Sequence, residues 1–126
     1  MPKQVPPVPR GPRPIGPYSV ATEAGGLVFI SGQVALDPAT GRREEGNAAA
    51  QAKRIMENLA LILGDLGLGF DAVVKTTIFL TDIADFAAVN EVYRGCFGEA
   101  PPARSTIQVA ALPGGFRVEI EAVAAR

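Results

Sequence analysis

Residues 72 to 80 read AVVKTTIFL, and this run constrains the fold more than any other part of the chain. It is β-branched and nearly continuous, which marks a central strand. Successive side chains of a strand point to opposite faces. One parity here gives Val74, Thr76, Ile78 and Leu80, and the other Val73, Lys75, Thr77 and Phe79. Both are largely apolar, so both faces of the sheet require cover. LVFISGQV, residues 27 to 34, is apolar on both sides as well.

The rest of the chain supplies two helices for that cover. The first is expected from Asn47, a favourable N-cap, to Leu66, with Gly67 as its stop. Ala52, Ile55, Leu59, Ile62, Leu63 and Leu66 recur at spacings of three and four, while Arg54, Glu57, Asn58 and Asp65 take mostly the other side. The second helix is expected from Ile83 to Phe97. Asp82 and Asp85 stand at its start, Phe86, Val89, Tyr93 and Phe97 form its apolar stripe, and Gly98 and Pro101 end it. YSVATEAGGLVFISGQVAL reads as a hairpin turning at Gly25 and Gly26, followed by a turn at DPATG. ARSTIQV, a turn at LPGG and FRVEIEAVA supply the last two strands.

The order is therefore β-β-α-β-α-β-β. The chain is expected to form an α+β domain, residues 15–126, with one mixed sheet, two helices on one face and a right-handed parallel crossover. Residues 1–14 form a proline-rich, extended N-terminal arm. Two helices cover one face only, so the second cover must come from another copy of the chain, making a homo-oligomer built through its sheets.

The last two strands carry charge into that problem. Ser105, Ile107 and Val109, with Val118, Ile120 and Ala122, suit the helix side. The opposite parity gives Arg104, Thr106, Gln108, Arg117, Glu119 and Glu121. These would lie in or beside the interface, where a buried charge must be paired or functional.

Composition narrows the chemistry. The chain has no histidine, so Ser-His-Asp and Cys-His catalysis are excluded and the commonest zinc ligand is missing. Twelve basic residues nearly balance thirteen acidic ones, which leaves no field of one sign to steer nucleic acid or a membrane surface. Cys96 is the single cysteine, so no intrachain disulfide can form, and a reducing cytosol suits it. No signal peptide and no bilayer-spanning run is read, so a cytoplasmic protein is expected.

IGPYSVA, LVFISGQVALDPATG, VVKTTIFLTDIADFAAVNEVYRGCFG, PPARSTIQVAALPGG and VEIEAVA occur in this order from about Ile15 to Ala124. With these motifs the chain resembles the YjgF family, the RidA-type reactive-intermediate deaminases. The resemblance implies a chorismate-mutase-like fold and a homotrimer, its three sheets packed into a central barrel with clefts between subunits. It implies hydrolysis of 2-imino and enamine acids, such as 2-iminopropanoate and 2-iminobutanoate, to 2-oxo acids and ammonia, with no cofactor and no metal. By that resemblance Arg104 binds the substrate carboxylate and Glu119 is the acidic residue of the site. Tyr18 enters from a neighbouring subunit, and Ser31, Gly32, Gln33, Asn90 and Thr106 line the cleft. Val20 and Thr106 depart from the glutamine and cysteine that many members carry. A carboxylate is the natural guanidinium partner, through two parallel hydrogen bonds. Glu119 fits either a general base or orienting group for water or a structural partner of Arg117 or of an interface arginine. A ribonuclease or translation inhibitor, and a non-catalytic trimer that binds 2-oxo acids, are the other functions attached to such a chain.

Overall fold

The computed structural model describes residues 2–126. Five strands and two helices follow one another as β1 (Ala21–Ala24), β2 (Leu27–Gln33), α1 (Ala48–Asp65), β3 (Val73–Leu80), α2 (Phe86–Arg94), β4 (Ala103–Gln108) and β5 (Val118–Ala125). The sheet order is β1-β2-β5-β3-β4; β3 and β4 are parallel and the other neighbours antiparallel. This is the α+β architecture with a mixed sheet that the sequence predicts.

Local chemistry explains the boundaries. Gly25 and Gly26 both take positive φ, 60° and 80°, which the two-residue turn between β1 and β2 requires. The Asn47 side chain accepts from the Ala50 N–H at 2.9 Å and caps α1. Gly67, at φ 74°, stops it. The second helix is shorter than expected. Asp82 accepts from the Ala84 N–H at 2.9 Å, which tightens residues 83–85 into a separate 3-10 turn, and α2 ends at Arg94.

The core lies between α1 and the sheet. Ile55, Leu59, Ile62 and Leu63 meet Val28, Ile30, Ile78, Leu80, Val118 and Ile120, all buried. Asn58 corrects the expected polar side of α1. It is fully buried, and its amide donates to the Leu36 carbonyl at 2.6 Å, tying the helix to the chain after β2.

Register corrects the expected faces of β3 and β4. A bulge between Val73 and Lys75 buries Val73 and leaves Val74 46% exposed. Beyond it, Thr76, Ile78 and Leu80 face the helices. Strand β4 pairs with them as Thr76↔Arg104, Ile78↔Thr106 and Leu80↔Gln108. Residues paired in register share a face, so Arg104, Thr106 and Gln108 are on the helix side, while Ser105 and Ile107 are on the open one. The apolarity of β4 pointed the other way, but β4 is an edge strand and pairing with β3 decides its register. In β5 the expected parity stands: Val118, Ile120 and Ala122 are buried under the helices, and Glu119 and Glu121 are on the open face.

That open face is apolar. Phe29 is 45% and Ile107 45% exposed, and Leu27, Phe79 and Val123 share it. The N-terminal arm lies against the domain instead. Gln4 and Glu23 exchange two backbone hydrogen bonds of 2.9 Å, and Arg10 donates from its backbone and guanidinium to Asp65 at the end of α1. No helix among the described residues is long and apolar enough to cross a membrane.

Candidate active site

The residues singled out from the sequence fall into two groups on opposite faces of the sheet.

The first group surrounds Arg104. Its Nη1 donates to Asn90 Oδ1 at 2.7 Å. Its guanidinium carbon stands 5.0 Å from the ring centre of Tyr93 and 5.6 Å from that of Phe86, within cation–π range of both. Tyr93 is fixed in turn by a 2.6 Å hydrogen bond between its hydroxyl and that of Thr76, at the buried start of the same face. Among the described residues no carboxylate pairs with Arg104, although five other arginines do find one. A cavity of about 410 Å³ opens beside the guanidinium, walled by Asn90, Tyr93, Phe97 and Pro101. Burial pushes the Tyr93 hydroxyl above its ordinary pKa, against the opposing pull of Thr76 and Arg104, so the phenol stays neutral. Two residues along β4, the Thr106 hydroxyl oxygen is buried with no hydrogen-bond partner among the described residues.

The second group surrounds Glu119. A register shift between Ile30 and Gln33 of β2 lifts Ser31 and Gly32 out of the regular ladder. Gly32 then lies against the Glu119 carboxyl group, which a Cβ at this position would push aside. Burial, and next the neighbouring Glu121, raise the pKa of Glu119. Glu119 forms no ion pair with Arg117 or any other described residue. Tyr18, Ser31, Gly32 and Glu119 line a cavity of about 1100 Å³ that extends to Arg43, stacked 3.9 Å above the Phe116 ring. Tyr18 is 46% exposed and its hydroxyl accepts from the Ile15 N–H at 3.3 Å. The Ser31 hydroxyl donates to the Ser19 carbonyl at 2.6 Å. Gln33 is buried and donates to the Ser31 carbonyl at 3.1 Å, so its amide braces the bulge. Val20 is buried in the core.

Arg104, Asn90 and Thr106 are thus brought together, as are Tyr18, Ser31, Gly32 and Glu119, but one chain does not join the two sets. The sequence places Phe86 and Tyr93 in an apolar stripe and Thr76 in a strand, and gives none of the three a part in the site. The available signal was Asn90 itself: with Phe86 and Tyr93 it stands at i, i+4 and i+7, a polar residue within an apolar helical stripe.

The sequence matches the model of the family described as endoribonuclease L-PSP over residues 9–126. The chain belongs to that family. It is the YjgF/RidA family to which the five motifs pointed. Among curated members, protein DfrA of Myxococcus xanthus is 56% identical over 117 residues, covering 91% of this chain and 89% of the relative. The mouse 2-iminobutanoate/2-iminopropanoate deaminase is 49% identical over 115 residues, covering 91% and 85%. Among solved structures, E. coli TdcF with bound serine superposes with a TM-score of 0.90 at 40% identity, covering 98% of each chain. L-PSP-family members therefore include named imine deaminases close to this chain in sequence.

Proposed function

We propose that this chain is a hydrolytic deaminase of small 2-imino acids, working as a homotrimer whose sites lie between subunits. The observation that carries the reading is the state of Arg104. Its guanidinium is held by Asn90 and two aromatic rings and has no carboxylate partner among the described residues, so its remaining donors are available to a substrate carboxylate. The deaminases among its relatives act on that kind of substrate by name, and TdcF holds a small amino acid.

The catalytic carboxylate is on the other face of the same sheet. A neighbouring copy seated on the open apolar face would bring its Glu119, Tyr18, Ser31 and Gly32 to the edge strand that carries Arg104. In this arrangement Arg104 and the Thr106 segment bind the carboxylate end of the imino acid. Tyr18 and the Ser31–Gly32 backbone hold its other polar atoms.

The imine carbon is already electrophilic, so the protein has to orient it and a water molecule. Glu119, whose raised pKa makes it a better proton acceptor than an ordinary carboxylate, takes a proton from the water as its oxygen bonds to the imine carbon. The imine nitrogen takes a proton from the solvent and a carbinolamine results. The Glu119 carboxyl then returns its proton to the amine nitrogen, the C–N bond breaks, and the hydroxyl gives its proton back to the solvent as the carbonyl forms. The products are a 2-oxo acid and ammonia, and the chain's lack of histidine is no obstacle to any step.

The test generates 2-iminobutanoate in place with an amino-acid oxidase and follows its decay. The wild-type protein is expected to accelerate decay, and Arg104→Ala to lose at least about a hundredfold in kcat/KM, as removal of a charge-assisted bidentate contact implies. Decay at the uncatalysed rate in the presence of wild-type protein would overturn the activity. An Arg104→Ala variant as fast as wild type would overturn the site.

A further inference from the structure

We propose that Tyr93 and Phe86 are positioning residues for Arg104, two ring faces that fix the direction of its guanidinium and so set the affinity for the substrate carboxylate. This rests on the reading of Arg104 as the carboxylate anchor.

An arginine side chain has many rotamers, and an anchor free to sample them would lose much of its binding energy in being ordered. Arg104 stands on an edge strand, where no second strand confines it. Its side-chain hydrogen bond and both of its ring contacts come from α2. Asn90 takes one donor at 2.7 Å and thereby fixes one corner of the fork. One hydrogen bond still permits rotation about its own axis. The Tyr93 ring at 5.0 Å and the Phe86 ring at 5.6 Å remove that freedom, because a guanidinium over a ring face gains attraction that it loses on swinging away. Neither ring accepts a conventional hydrogen bond, so the donors not used by Asn90 remain available to an anion. A carboxylate in the same place would also hold the arginine but would neutralise it.

The Tyr93 ring is itself anchored. Its hydroxyl shares a 2.6 Å hydrogen bond with the buried Thr76 hydroxyl, and Thr76 is the residue directly paired with Arg104 across β3 and β4. The ring also packs on Phe97, with centroids 4.8 Å apart. The ring that steers the guanidinium is therefore tied to the strand position next to the arginine's own backbone. Phe86, 39% exposed at the first turn of α2, is held more loosely and should contribute less.

The test compares Tyr93→Leu, Tyr93→Phe and Phe86→Leu in wild-type and Arg104→Ala backgrounds. Calorimetry gives the dissociation constant of 2-oxobutanoate, and the coupled imine assay gives KM and kcat. Tyr93→Leu is expected to weaken binding about tenfold and raise KM in step, with kcat changed less than about twofold. Phe86→Leu is expected to weaken binding about threefold. Tyr93→Phe keeps the ring and should bind within about twofold of wild type, even though loss of the Thr76 bond lowers its melting temperature. In the Arg104→Ala background the ring substitutions should cost nothing further. Equal losses in both backgrounds, or a Tyr93→Phe variant as weak as Tyr93→Leu, would overturn the positioning role while leaving the Arg104→Ala loss intact. An Arg104→Ala variant with undiminished binding would overturn the anchor and the positioning role together. Should Tyr93→Leu fail to fold, Phe86→Leu, on the exposed side of the clamp, gives the same double-background comparison.

Discussion

The Glu119 carboxyl group rests directly against the α-carbon of Gly32, so closely that a methyl group there would stand 2.8 Å from Glu119 Cδ. Gly32 does not need its glycine for a left-handed backbone; its φ is not among the positive ones. It needs the missing side chain. The β2 bulge and the β5 strand converge here, and the space a Cβ would take belongs to the carboxylate. Gly32→Ala should therefore push the carboxylate aside. Glu119 is half-buried and its side chain can swing, so the stability cost should stay below about 1 kcal/mol. The catalytic cost should be large, about a tenfold or greater fall in kcat, because a general base must keep hydrogen-bond reach of its water. Thermal melting and imine turnover measured on one preparation check both halves. A full-speed Gly32→Ala enzyme would remove Glu119 from the mechanism.

Glu119 also makes a prediction about pH. Burial and Glu121 raise its pKa in the folded chain above its unfolded value. The folded state then binds this proton more tightly than the unfolded state does. The resulting stability is fully present below the unfolded pKa and is lost as pH rises through the folded one. At neutral pH the charged carboxylate is thus a burden on the fold. Glu119→Gln should melt at a higher temperature than wild type at pH 7, and the difference should shrink in acid, while imine turnover collapses. In wild type, turnover should fall as pH is lowered through the raised pKa, because the base becomes protonated. Melting curves at pH 4 and pH 7 with parallel activity profiles test this, and a Glu119→Gln variant less stable than wild type at pH 7 would contradict it.

Thr106 carries a buried hydroxyl oxygen with no partner among the described residues, on the same strand face as Arg104. Such an orphan costs the fold about 1 kcal/mol or more unless a ligand satisfies it. Thr106→Val keeps the shape and deletes the orphan. It should raise stability by about 1 kcal/mol in the free protein and weaken 2-oxobutanoate binding several-fold. Chemical denaturation with and without the ligand separates the two effects. A valine variant that is both less stable and equally good at binding would show that the hydroxyl has a structural partner instead.

The sequence carried the fold well and the site unevenly. Continuous apolarity in β3, the Asn47 cap and the Gly25–Gly26 turn are local signals, and each was read where it occurs. In β4 the sequence points the wrong way, because Ile107 invites burial, whereas the register with β3 turns it outward and brings Arg104 to α2. That inversion could not be seen in β4 alone, since pairing with another strand decides it. It also separated Arg104 from Glu119, which simple alternation had placed on one face. The Tyr93–Phe86 support was hidden for a related reason: apolar residues on a helical stripe read as core until a charged neighbour is located.

The separation of Arg104 and Glu119 gives the last prediction. Phe29, Leu27 and Ile107 form an uncovered apolar surface with Phe79 and Val123, and a lone chain would expose it to water. On the proposed reading, a closed assembly would bury it and complete the sites in the same step. Phe29→Glu places a charge at that surface without touching either group of site residues. Wild type should scatter light with the mass of three chains at micromolar concentration, and Phe29→Glu with the mass of one. The monomeric variant should lose imine turnover even though its own Arg104 and Glu119 are unchanged, because they face opposite sides of one sheet. A fully active monomer, wild type or variant, would mean that one chain completes the site alone, and the shared-cleft reading would fall.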